Sequence, residues 1–425
     1  MEVKMSSKRW KEDLIRLGEM GRKNFQRVES QQQLDNEKGL YRFEGTPACT
    51  KSKKYVIERM KEIGLKVRID RVGNIFARKD GTKTDKGSVM SGSHLDSVLN
   101  GGMFDGVLGV ISALEAVRRI NDEGFRNERP IEISVFMGEE GSAFKKVLLG
   151  SLVLVGKIDL AEALAMKDDN GISLKEALDT HGLRGDFEMN LNDVEYFIET
   201  HVEQGPFLDQ EKISIGVVEN ITGMLWILAF LAGEENHAGT TPMFTRRDPL
   251  IAAAEIVLLA NKLAKKMAKS SGGNTVATVG EMVVDPGAPN IIPGRVRMGI
   301  DIRDSQQEVQ NRLKDELTSA IENLDALYGI KANWEIPFEH KPQSCSQEVL
   351  KVIEQSASRL GIPTKKMSSG AGHDAQNIAQ KVKTAMIFVP SVNGISHSPL
   401  EWTHWKDVDK GIQVLTQTIK KLSRL

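Results

Sequence analysis

The chain has 425 residues, 40% hydrophobic and 27% charged, with 57 Lys plus Arg against 58 Asp plus Glu and a formal net charge of -1. That balance excludes attachment to nucleic acid or an anionic membrane through positive charge, and the length exceeds what one core organises, so two domains are expected. The uncharged apolar run at residues 221–233 is too short for a bilayer, and MEVKMSSKRWKED has no apolar secretory core. Cys49 and Cys345 stand far apart without metal-ligand spacing, which predicts reduced thiols in a cytoplasmic protein.

In chain order, KKYVIERMKEIG at residues 53–64 places Val56, Ile57, Met60 and Ile63 on one helical face, and Gly64 supplies the stop. LKVRID and NIFARK are strand signals joined across Gly73-Asn74, a hairpin pattern. A strand at residues 88–91 then leads into GSHLDSVLNGGMFDG, residues 92–106, where a histidine and two aspartates sit among four glycines. Behind it Val107, Val110, Ile111, Leu114 and Val117 recur at helical spacing. IEISVFMGEEG, residues 131–141, reads as a strand ending in two adjacent acids. Strand, polar loop and helix alternate through this half, which predicts an α/β domain with chemistry at the strand ends.

After residues 203–206, EQGP, the pattern changes. Residues 213–233 read as successive strands, and 249–269 as a helix with Ile251, Ala254, Ile256, Leu259 and Leu263 facing inward. Residues 275–284 and 295–302 are strand-like, and 307–327 helical. In RVRMGIDIR, Val296, Met298, Ile300 and Ile302 alternate with charged residues, as a one-sided sheet requires. This predicts a small α+β domain at 216–337 inserted into a catalytic domain formed by 1–215 and 338–425. The return segment carries a helix near 349–360, the strand AMIFVP and the loop SVNGISHSP.

Five of the eight histidines, His94, His201, His237, His373 and His397, lie in loops rich in Gly, Ser or acids. Each taken singly also reads as a hydrogen-bonded loop residue. Together with Asp105, Glu139 and Glu140 they form an imidazole–carboxylate inventory without thiolates, which suits a hydrolytic Zn, Mn or Co site. Two such ions about 3.5–4 Å apart need a shared carboxylate and further ligands on each. Asp105 then bridges, with His94 and His201 on one ion and Glu140 and His397 on the other. Glu139 remains beside the ions as a general base, and Asp96 stands where it accepts the second ring N–H of His94.

The series GSHLDSVLNGGMFDG, MGEEGSAF, ETHVEQGPFL, ENHAGTTPM, PNIIPG, SGAGHDAQ and GISHSPLEW resembles that of the amidase/hydantoinase–carbamoylase family, in order from about Gly73 to Trp402. The resemblance implies a dinuclear metal amidohydrolase with a mixed-sheet catalytic domain of the co-catalytic metallo-aminopeptidase type and an inserted lid and dimerisation domain. It implies the same ligands: His94, Asp105, Glu140, His201 and His397. It further gives His237 the role of steadying the oxyanion across a homodimer interface. Asn290 and Arg303 match positions that hold the substrate carboxylate, and Gln204 and His373 match further substrate-binding positions.

Two departures stand out. The family often has Arg after EEGS and after LGS, where this chain has Ala143 and Leu152. At 223–226 the chain reads Gly-Met-Leu-Trp, apolar like the L-amino-acid carbamoylases rather than polar like allantoate-hydrolysing members. The expected activity is therefore hydrolysis of an N-carbamoyl-L-amino acid to amino acid, CO2 and ammonia, by a metal-bridging water with Glu139 as base. The alternatives are allantoate amidohydrolase, β-ureidopropionase, a dipeptidase or aminopeptidase, and a catalytically silent metal-binding protein. Expected partners are a small ureido substrate and a second copy of the chain, with no nucleic acid and no membrane.

Overall fold

The computed structural model describes residues 2–22, 26–83, 85–270 and 275–425, with side chains from Lys8 onward. It divides into two units: residues 1–219, 344–367 and 373–425 in one, and 220–343 with 368–372 in the other. The fold class is mixed α/β.

The first unit is built on β1 (Lys66–Ile69), β2 (Ile75–Lys79), β3 (Ser88–His94), β4 (Ile131–Phe136), β5 (Val194–Val202) and β6 (Ile215–Ile221). The second carries β7 (Gly223–Ala232), β8 (Asn236–His237), β9 (Val276–Asp285), β10 (Ile291–Ile292), β11 (Arg295–Asp304) and β12 (Lys331–His340). β13 (Gln343–Ser344), β14 (Thr364–Ser369) and β15 (Lys383–Val389) return to the large sheet. That nine-stranded sheet has the order β1-β2-β4-β3-β5-β15-β6-β13, with β14 paired to β6.

Its centre is parallel: β3 runs parallel to β4 and to β5, and β5 parallel to β15, while β1–β2, β2–β4 and β15–β6 are antiparallel. Parallel strands are buried on both faces, and β3 and β4 are buried along their whole length. In register, His94 at the end of β3 lies opposite Phe136, and His201 near the end of β5 lies opposite Phe388. The carboxyl ends of four neighbouring strands therefore open on one edge, where the connecting loops gather the candidate residues.

The helix Val107–Asp122 follows β3, and all five of its predicted apolar positions are buried. Another helix spans Pro47–Glu62, starting before the periodicity at Lys53. Its first turns are set by chemistry instead: Thr46 accepts the Cys49 N–H as N-cap and Pro47 occupies the first position. The expected 131–141 strand stops at Phe136, because Gly138 (φ 63°) and Gly141 (φ 67°) turn the acids out of the sheet.

In the inserted unit the antiparallel order is β12-β7-β11-β9. Leu225, Ile227, Ala229 and Leu231 of β7 join Val296, Met298, Ile300 and Ile302 of β11 in a core with the helices Pro249–Ser270 and Gln307–Glu322. Each fully buried Ile or Leu there contributes about 1.5–3 kcal/mol. The inner face of the first helix differs from expectation. Ile251 and Ala254 are exposed, whereas Ala252, Ala253, Ile256, Ala260 and Leu263 pack inward. This helix is apolar almost all round, so periodicity leaves its orientation open, and the small Ala252 and Ala253 let it approach the sheet closely. The expected 307–327 helix is interrupted at Asn323, after which a short helix runs Leu324–Tyr328. No helix among the described residues is long and apolar enough to cross a membrane. Cys49 and Cys345 are both buried and unbridged.

Candidate active site

Asp105 sits in the glycine-rich turn between β3 and the following helix, almost fully buried. Its Oδ1 lies 3.4 Å from His94 Nε2 and 3.3 Å from His201 Nε2, and its Oδ2 lies 3.4 Å from His397 Nε2. Glu140 Oε2 is 3.6 Å from His397 Nε2, and Glu139 Oε2 is 3.7 Å from His94 Nε2. Donors bound to one ion at ~2.1 Å and tetrahedral angles stand about 3.4 Å apart, so these spacings are those of a ligand set. Glu140 Oε1 is buried without a hydrogen-bond partner, an acceptor left for a cation. Among the described residues, His94, Asp105 and His201 form one donor trio, and Asp105, Glu140 and His397 form another. The residues present fit two divalent ions sharing Asp105.

The glycines have a steric reason. A Cβ on Gly106 would lie 2.4 Å from the His94 ring, and one on Gly102 would lie 2.3 Å from the Glu401 carboxylate. The turn packs so tightly against the donors that no side chain fits.

Tautomers follow from the surrounding bonds. His201 Nε2 accepts the Gly106 N–H at 3.2 Å and its Nδ1 lies 3.0 Å from the Val202 carbonyl, which puts the ring proton on Nδ1. His94 Nδ1 lies 3.2 Å from the main-chain oxygen of Asp96. The expected carboxylate contact is longer, at 3.6 Å from Asp96 Oδ1. The Asp96 carboxylate is instead occupied by the N–H groups of Glu139 and Glu140 at 3.3 and 3.0 Å. In both imidazoles Nδ1 faces a main-chain oxygen and Nε2 is turned toward Asp105.

The electrostatics reflect crowded acids. Burial, then the neighbouring Glu140, pushes the Glu139 carboxyl well above its ordinary range. Burial and Asp105 raise Glu140 to about 8. Burial opposes the Asp105 carboxylate, yet His201, His397 and His94 hold it well below the usual value. The Asp105 hydrogen bond raises His397 to about 9. Burial, then His201, pushes His373 well below the ordinary histidine range.

Gln204 joins the cluster, its Nε2–H donating to Asp105 Oδ2 at 2.7 Å. His373 is buried behind it, its ring 4.6 Å from that of His201, and forms a separate donor trio with Glu199 and His201. The other candidates lie on the inserted unit. His237 is exposed, and its Nδ1 accepts the N–H groups of Gly239 and Thr240 at 2.9 and 3.2 Å, which leaves Nε2–H as an outward donor. Asn290 is exposed, and its carbonyl accepts the Ala238 N–H, tying the two turns together. Arg303 donates Nε–H and Nη2–H to Asp301 at 2.9 and 3.0 Å and Nη1–H to Gly370 at 3.2 Å. Of the five guanidinium N–H groups about two then remain, one on each Nη, a fork suited to a carboxylate.

Sequence reasoning missed Glu401. Fully buried, it accepts the Phe104 and Asp105 N–H groups on Oε1 at 2.8 and 3.0 Å and the Ser396 hydroxyl on Oε2 at 2.7 Å. It fastens the Asp105 turn to the His397 loop, and burial with Asp105 nearby raises its pKa to about 7. Its signal was its place in GISHSPLEW. Glu199 was also missed; it accepts the Ser93 hydroxyl and the Ala375 N–H.

A parallel-centred sheet with imidazoles and carboxylates at its strand ends, and a second α+β unit inserted, defines a hydrolase of the co-catalytic type. The chain belongs to peptidase family M20/M25/M40, whose model matches residues 90–421. It is 36% identical over 425 residues to the N-carbamoyl-L-amino-acid amidohydrolase of Pseudomonas sp. (strain NS671), covering 99% of each chain. Against the enzyme of that name from Paenarthrobacter aurescens it is 37% identical over 390 residues, 91% of this chain and 94% of that one. Among solved structures, an amidase of the hydantoinase/carbamoylase family from Burkholderia multivorans superposes with a TM-score of 0.89 at 34% identity, covering 98% and 97% of the two chains.

Proposed function

We propose that this protein hydrolyses an N-carbamoyl-L-amino acid to the amino acid, CO2 and ammonia. The observation that carries this reading is Asp105, whose two oxygens face two separate donor groups, His94 with His201 and Glu140 with His397. Those five residues would hold two divalent ions (Zn, Mn or Co), which when bound supply Lewis acidity at the ureido oxygen and at water. Glu139, beside the His94 ring, then takes a proton from the attacking water. A bond forms between the water oxygen and the ureido carbon. Glu139 passes the proton to the α-nitrogen, the bond between that nitrogen and the carbon breaks, and the released carbamate decomposes to CO2 and ammonia. Gln204 orients Asp105 and faces the reacting group, and His373 supports His201 from behind.

Within the same proposal, the inserted unit is a lid and dimerisation domain. Arg303, with Asn290, receives the substrate carboxylate on its remaining fork, and the Nε2–H of His237 serves the oxyanion of the partner subunit. The polypeptide works as a homodimer in the cytoplasm.

The experiment is ammonia release from N-carbamoyl-methionine, allantoate, N-carbamoyl-β-alanine and a dipeptide control scored for free amino acid, each with added Mn, Co or Zn. Turnover of N-carbamoyl-methionine at a kcat/KM at least about tenfold above the others is expected. Preference for another substrate would replace the reading, and turnover of none would leave a silent metal-binding protein.

A further inference from the structure

The turn that presents Glu139 and Glu140 offers three consecutive main-chain N–H groups, and each ends on a buried carboxylate. Gly138 N–H donates to Glu44 Oε1 at 3.2 Å, while Glu139 and Glu140 N–H donate to the two oxygens of Asp96. Successive N–H groups around a positive-φ glycine make a concavity that takes an anion, and Gly138 has φ 63°. Asp96 belongs to the β3 loop. Glu44 comes from elsewhere, just before the helix Pro47–Glu62.

The second oxygen of Glu44 meets Lys53 Nζ at 2.8 Å, with side-chain exposures of 0% for Lys53 and 4% for Glu44. Desolvation offsets most of the attraction in such a buried pair, so stability alone is a weak reason for it. Position is a better one. The same segment grips the other side of the donor cluster: Arg42 donates Nε–H to the Leu95 carbonyl, between His94 and Asp96, and Nη1–H to the carbonyls of Leu17 and Met20. Ala143 lines one crevice with Glu44 and Asp96. Lys53 meets Glu44 from within the helix Pro47–Glu62.

We propose that Glu44 and Lys53 are positioning residues for the Glu139–Glu140 turn. Glu44 fixes the main chain at Gly138, and with it the direction from which both acids enter the donor cluster. Lys53 holds Glu44 in that orientation and balances a further carboxylate behind an already acidic site. The inference rests on the reading of Glu139 as base and Glu140 as ligand.

The test compares two double variants that remove both charges together, so that no lone charge is buried. Glu44→Gln with Lys53→Met keeps an oxygen for the Gly138 N–H, whereas Glu44→Leu with Lys53→Met deletes it. Three quantities are read: Mn2+ affinity, hydrogen exchange at residues 138–140, and kcat and KM separately. The Leu pair is expected to bind Mn2+ about tenfold or more weakly and to exchange faster, with kcat down about 10–100-fold and KM within about threefold. The Gln pair is expected to stay within about threefold of the parent throughout. Glu44→Asn with Lys53→Met, polar but one methylene short of Gly138, should reproduce the Leu losses if the apolar pair fails to fold. Parent-like Mn2+ affinity and exchange in the Leu or Asn pair, or equal losses in all variants, would overturn the proposal. Affinity and exchange are measured without substrate, so a protein inactive on every ureido compound still tests the turn.

Discussion

In the nine-stranded unit the candidate groups are crowded, close to one another and, His397 apart, largely buried, whereas in the inserted unit they are open and held by their own turns. His94 and His201 each expose 1% of their surface, with Asp105 between them, while His237 and Asn290 are exposed and Arg303 is anchored by Asp301. The first arrangement closes on itself: every donor has its neighbour in the same unit, and the rings of His94 and His201 are set by main-chain contacts. The second presents the remaining N–H groups of Arg303 and the outward Nε2–H of His237. On the proposed reading, chemistry and recognition are built on different units, and each can be broken without the other.

The strongest break is Asp105→Ala, which removes the one group common to both donor trios. Titration with Mn2+ should then show neither high-affinity site, and hydrolysis should fall to background. Retention of two tight ions would mean that Asp105 does not join the trios. Glu139→Gln separates binding from chemistry within the same unit: metal content should stay at the parent value while kcat falls by about 10²–10⁴. Near-parent turnover would remove Glu139 as the base.

Effects on the other side should be smaller. His237→Ala should lower kcat about 10²–10³-fold with metal content unchanged, as expected for loss of one oxyanion donor. If that histidine acts across the dimer, mixing the His237→Ala and Glu139→Gln proteins should restore a fraction of activity, because one site in each mixed dimer has both groups. No gain on mixing would confine His237 to its own subunit. Arg303→Lys should raise KM about tenfold or more with little change in kcat, since a point charge does not reproduce the fork. An unchanged KM would place the substrate carboxylate elsewhere.

What the sequence made legible was what is local. Val107, Val110, Ile111, Leu114 and Val117 announce a helix by spacing, and Val296 to Ile302 announce a strand by alternation, because each pattern is read by a single packing partner. The five donors were visible because such residue types rarely collect in glycine-rich loops. Contacts between distant segments were not visible. Glu401 grips amides 296 and 297 positions upstream, and Glu44 reaches 94 positions to Gly138. A carboxylate used for its acceptors leaves no periodic trace, and neither does the exchange of Asp96 from ring partner to amide partner. The face of the helix Pro249–Ser270 was hidden for the opposite reason, since apolar residues occur on both of its sides.

His397 differs from its four companions, with its side chain 52% exposed and φ at 51°, where few non-glycine residues stay at ease. The cage therefore has one thin wall. Under a chelator the ion held by Glu140 and His397 should leave first and return last, giving a half-loaded protein with a lifetime of its own, and two phases in a stopped-flow release experiment would reveal it.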